Sequence, residues 1–163
     1  VATEPWLRGP IGDLHPVASH LIYTFQQARE ELKYFTAGLT REQVWTQVAG
    51  ASLGFHLRHI AGSVDRLAAY LEGRQLSEEQ MRFLREEQNP GASLDELLRE
   101  LESVFQRAGD IAKGLHSSNY FDPRFVGRKK LPTTAGGLII HLSEHTQRHL
   151  GQAILTAKIV RGG

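Results

Sequence analysis

Apolar residues recur at steps of three and four through most of the chain. Leu14, Val17, Leu21, Phe25, Ala28, Leu32 and Phe35 trace one face of a helix from residue 14 to about 36, and Gly38 closes it. Leu57, Ile60, Ala61, Val64, Leu67, Ala68 and Leu71 predict a second helix over 52–72, stopped by Gly73. Leu94, Leu97, Leu98, Leu101, Val104, Phe105 and Ala108 predict a third, from Ser93 to about Leu115, and a last helix is expected from about 133 to 160. Three capping boxes punctuate the polar stretches: Thr40 with Gln43, Ser77 with Gln80, and Ser93 with Glu96. The first opens a short turn anchored by Trp45 and Val48. The second opens a short charged helix ending near Glu87, before the turn Asn89-Pro90-Gly91. Residues 1–13 read as an irregular lead-in packed down by Trp6 and Leu7, and residues 116–132 as a long loop. No segment sustains period-two alternation, so no strand is predicted.

Four amphipathic helices of ~20 residues pack most simply as a bundle. The expected fold is therefore all-α: a four-helix bundle with one or two short extra helices, in a single domain over residues 1–163. The connection between the second and third long helices is long enough to cross the bundle. That leaves up-down-up-down and crossover topologies both open.

Composition narrows the chemistry. The absence of cysteine removes disulfides, thiol nucleophiles and thiolate metal sites. With 19 basic and 18 acidic residues the chain carries no electrostatic footprint for nucleic acid. Its one basic run, Arg124, Arg128, Lys129 and Lys130, reads as a solvated loop. The apolar stretches are too short to cross a bilayer and no signal peptide opens the chain, so a cytoplasmic protein without a membrane partner is expected.

Eight histidines, unevenly placed, change this picture most. The last helix carries His141, His145 and His149 at four-residue spacing. Each such step returns ~40° off and ~6 Å along the axis, so the three imidazoles share one stripe, with Gln152 on it. Leu138, Leu142 and Ala153 border the stripe, whereas Glu144, Gln147 and Arg148 lie opposite; the histidines therefore turn toward the bundle interior. Buried imidazoles need partners, and two of them one helical turn apart can hold one divalent ion. A further ligand should come from a facing helix. The second helix offers His56, nearer its apolar centre, and His59, which heads a stripe of Gly62, Ser63, Arg66 and Tyr70 suited to a pocket wall. Periodicity does not choose between them. His20 on the first helix is a weaker candidate, and His116 falls at a helix end, where exposure is expected.

Two segments resemble the DinB-like superfamily, which includes the YfiT-type metal-dependent proteins. One is Ser52–Arg66, similar to the family's second-helix pattern. The other is His141-x3-His145-x3-His149-x-Gly151-Gln152, similar to its last-helix motif. The likeness spans about residues 14–160. It departs from the family at Arg148, where a histidine is frequent, and at Leu150, where an arginine is frequent. The resemblance implies a four-helix bundle, often a homodimer, with His59, His145 and His149 as metal ligands. His56, His141, Ser63, Arg66, Tyr70 and Gln152 would then line the pocket or support the ligands.

Three neutral imidazoles suit zinc or nickel better than iron or manganese. They leave the ion cationic, with an open position for water or a sulfur ligand. The resemblance further implies a metal-dependent enzyme of the thiol S-transferase or hydrolase type, acting on a small-molecule substrate such as a low-molecular-weight thiol. Two other readings stand beside it: a metal- or small-molecule-binding bundle without turnover, and a metal-free structural or interaction domain. A fourth protein ligand, Glu144 or His141, would favour the binding module. Asp65 and Glu144 flank the motifs but project away from the histidine face.

Overall fold

A computed structural model describes residues 3–162. In chain order the helices are α1 (Pro16–Thr36), the short α2 (Arg41–Trp45), α3 (Leu53–Leu71), the short α4 (Glu78–Glu86), α5 (Leu94–Lys113) and α6 (Ala135–Arg161). The starts are set by side chains that accept orphan backbone N–H groups. All three capping boxes form: Thr40, Ser77 and Ser93 accept from the residue three on, and Gln43, Gln80 and Glu96 return the bond. Ser52 caps α3 by accepting from Phe55 N–H at 3.0 Å, and Thr134 caps α6 by accepting from Gly137 N–H at 3.0 Å.

The four long helices form the bundle. α1 and α3 each pack against both α5 and α6, so helices successive in the chain, α1 then α3 and α5 then α6, face one another across the diagonal. The long connection that carries α4 joins neighbours, α3 and α5, rather than crossing. The core is continuous through the bundle. Phe25 of α1 stacks on Phe105 of α5 with ring centroids 4.4 Å apart. Leu57 and Ile60 of α3 and Ile139, Leu142 and Leu150 of α6 are fully buried in the same cluster.

Three details differ from the sequence reading. The lead-in is anchored by buried Pro5 in a short 3-10 turn, while Trp6 and Leu7 are about half exposed. Strands are present: β1 (Gln47–Val48) pairs with β2 (Ala51–Ser52), and residues read as loop form an antiparallel hairpin of β3 (Pro123–Val126) and β4 (Leu131–Thr134). Strands of two to four residues offer too little alternation to stand out, and Pro123 and Pro132 mask the second pair. Arg124 is also not free in solvent: its Nε donates to the Leu71 carbonyl at 2.6 Å and ties the hairpin to the end of α3. Arg128, Lys129 and Lys130 stay exposed around the turn, as a solvated run should. Among the described residues, no helix is long and apolar enough to cross a membrane.

Candidate metal centre

Where α3 runs against α6, both helices turn histidine toward the contact. His59 of α3 meets His145 and His149 of α6, and one ring nitrogen from each lies within 4.8 Å of the other two. Ring centroids are 4.3 Å apart for His59 and His149, 4.6 Å for His145 and His149, and 5.3 Å for His59 and His145. An ion held by Zn–N bonds of ~2.0–2.1 Å would draw the three nitrogens closer together.

The other sequence candidates divide around this group. His56 is buried, with its ring centroid 6.0 Å from that of His149; it borders the three without joining them. Its Nδ1 is buried with no hydrogen-bond partner. Ser63 Oγ lies 3.5 Å from His59 Nε2 and accepts from Arg66 Nη2 at 3.3 Å. His141 stands 5.6 Å from His145 by ring centroid but is half exposed, and its Nδ1 pairs with Glu144 Oε1 at 2.7 Å. The two candidates for a fourth ligand are thus engaged with each other at the surface. Tyr70 is not near the histidines: it is buried eleven residues beyond His59, ~16 Å along the axis, and lines a separate hollow with Met81, Arg85 and Arg128. Gln152 is exposed, because the α6 stripe turns outward at its end. His20 faces solvent in a groove with Tyr23 and Ile140, and His116 is exposed. Asp65 accepts from Gln80 Nε2 at 2.7 Å and from Arg107 Nη2 at 2.5 Å, so it ties α3 to α4 and α5.

Electrostatics keep His145 and His149 neutral. Burial, then the neighbouring His59 ring, lowers His145 and His149 from the ordinary value to about 4. Burial also lowers His56. Arg148 adds to the depression of both His145 and His149, and Arg66 to that of His145. His149 Nδ1 is buried without a hydrogen-bond partner. Neutral imidazoles with uncommitted nitrogens are the donor set that a divalent ion needs.

One residue of the site escaped the sequence reading. Glu87, just past the end of α4, is buried against α3. Its Oε2 accepts from His59 Nδ1 at 2.8 Å and its Oε1 from Arg66 Nη1 at 2.8 Å. A signal was available: acids at a helix C-terminus oppose the helix dipole, and Glu86 and Glu87 sit there together. Nothing local, however, links position 87 to position 59.

The fold agrees with what the chain resembles. The pattern of the DinB superfamily matches residues 24–153, and the chain belongs to that superfamily. No curated protein matches it. Among solved structures, a conserved protein from Enterococcus faecalis superposes with a TM-score of 0.73 at 16% identity, covering 91% of this chain and 99% of that one. At that identity the likeness is one of fold.

Proposed function

We propose that this protein binds one divalent metal ion through His59, His145 and His149 and is a metal-dependent enzyme acting on a small molecule, of the thiol S-transferase or hydrolase type. The observation that carries the reading is the meeting of three imidazole nitrogens from two helices within 4.8 Å. Zinc or nickel suits an all-imidazole set. When bound, such an ion acts as a Lewis acid toward an oxygen or sulfur ligand.

The protein's own groups divide the remaining work. His145 and His149 stay unprotonated at neutral pH and keep their lone pairs available. The Phe55 ring stacks on His59 with centroids 5.4 Å apart and covers one face of that imidazole. Arg148 places a positive charge near His145 and His149, which favours approach of a thiolate or another small anion, whereas Arg66 is already paired with Glu87. Among the described residues no carboxylate joins the group of three: Asp65 is spent on Gln80 and Arg107, Glu144 on His141, and Glu87 on Arg66 and on Nδ1 of His59.

Protein purified without a metal-affinity tag, stripped with chelator and reloaded with zinc or nickel tests the reading directly. It would be assayed with small thiols plus an aryl halide, and separately with activated esters. Turnover in the reloaded protein, absent from the stripped protein and from His149→Ala, is the expected result. An ion bound tightly with no turnover of either class would reduce the reading to a metal-binding bundle.

A further inference from the structure

α4 buries none of its own residues, yet α3 grips its end at several points. Arg58 Nη1 donates to the carbonyls of Glu86 at 3.0 Å and Asn89 at 3.1 Å, and its guanidinium lies 5.0 Å over the Phe83 ring. Two turns on, Arg66 holds Glu87. Between them Gly62 leaves a slot: a Cβ there would lie 2.5 Å from Glu87 Oε1, 2.7 Å from Arg66 Nη1 and 2.8 Å from Phe83. This arrangement delivers one carboxylate, its side chain 4% exposed, to Nδ1 of the His59 ring.

Docking α4 does not require that last contact. The Arg58 bonds and the Arg66–Glu87 pair already fasten it. The second carboxylate oxygen is instead spent on His59 Nδ1. A carboxylate accepts hydrogen bonds and donates none, so in the neutral ring the proton sits on Nδ1 and the lone pair on Nε2. Outer carboxylates of this kind fix both tautomer and ring orientation where imidazole meets metal.

We infer that Glu87 is the positioning residue of the centre: it selects the Nδ1–H tautomer of His59, leaving the Nε2 lone pair, met only by the Ser63 hydroxyl at 3.5 Å, to ligate, while Arg66 and the Gly62 slot hold the carboxylate in place. The inference rests on the ion site proposed above. Glutamine cannot replace it. An amide NH2 turned to Arg66 sets donor against donor, and one turned to His59 drives the ring proton onto Nε2.

Two readouts separate this role from simple docking and from the ion site itself. The first is the His59 tautomer, read from imidazole 15N shifts of the metal-free protein at about pH 8, above the ordinary imidazole range. The second is zinc affinity by chelator competition, for wild type, Glu87→Gln and Glu87→Asp. Wild-type His59 is expected with its proton on Nδ1. Glu87→Gln should shift that population toward Nε2–H and weaken zinc by about 10–100-fold. Glu87→Asp, which keeps both acceptor oxygens, should recover part of each. Wild-type His59 protonated on Nε2 overturns the inference without any variant. So does a Glu87→Gln protein with an unmoved tautomer or a zinc affinity within about twofold of wild type, against the larger loss that outer-ligand removal brings. If wild type shows the Nδ1–H tautomer and Glu87→Gln loses it, while neither binds zinc, the tautomer-setting role stands and the ion site falls.

Discussion

A methyl group added at Gly62 would sit 2.5 Å from Glu87 Oε1, in a slot walled by two charged side chains and a ring. Gly62→Ala must therefore push Glu87 or Arg66 aside, at about 1–3 kcal/mol against the ~1 kcal/mol that alanine gains over glycine inside a helix, and we expect a net loss of up to about 2 kcal/mol in urea unfolding. A raised midpoint would mean that the slot relaxes freely. The histidines give a pH signature. His145 and His149 titrate near 4 in the folded chain and near the ordinary 6.5 when unfolded. Between those values the unfolded chain takes up protons that the folded one refuses. Stability of the metal-free protein is thus full above about pH 6.5, falls as pH drops, and levels off below about 4. Urea midpoints at about pH 7.5 and 5 should differ more in wild type than in His145→Gln/His149→Gln, and equal falls would contradict the assignment. The α6 pair was legible in the sequence because a four-residue step fixes a helix face. Periodicity did not choose His59 over His56, since a wheel centred on Leu57, Val64 and Leu71 finds the apolar core and favours His56; only the resemblance of Ser52–Arg66 pointed to His59. Both rings approach His149, with centroids at 6.0 Å for His56 and 4.3 Å for His59. Glu87 was hidden for a different reason: its partner lies 28 positions away, and only tertiary packing pairs them.

At the scale of elements, local chemistry carried furthest where it was self-contained. Each capping box read from four residues forms as read, and the helix ends fall within about two residues of the periodic pattern. Ser93→Ala, which removes the bond to Glu96 N–H, should cost about 1 kcal/mol by the same unfolding measurement. α4 is the opposite case. Its propensity and cap start it, but contacts made by Arg58 and Arg66 keep it in place. Arg58→Ala is expected to raise hydrogen exchange in α4 selectively, with the α3 and α6 amides unchanged. Uniform loss of protection would mean that α4 and the bundle open together. The β3–β4 hairpin stayed invisible because its strands are shorter than the window over which alternation can be told from chance.

At the scale of the molecule, four apolar stripes announced a bundle, but not which helices are neighbours. The diagonal placement of α1 and α3, and of α5 and α6, depends on how the stripes fit together, and no single stripe contains that. The Phe25–Phe105 stack that joins α1 to α5 is fully buried, so Phe105→Ala should cost about 3–5 kcal/mol. Joining α3 to α6 through an ion should do the reverse: zinc at a hundredfold excess over its Kd is expected to add about 2.7 kcal/mol of stability, seen as a rise in Tm that His149→Ala lacks. The most direct test of the account is the metal content of tag-free protein by mass spectrometry, for wild type and for His56→Ala, His59→Ala, His145→Ala and His149→Ala. About one zinc or nickel per chain in wild type and His56→Ala, with near-complete loss in the other three, is the predicted result. No ion in wild type after incubation with both metals, or loss in His56→Ala with retention in His59→Ala, would contradict it.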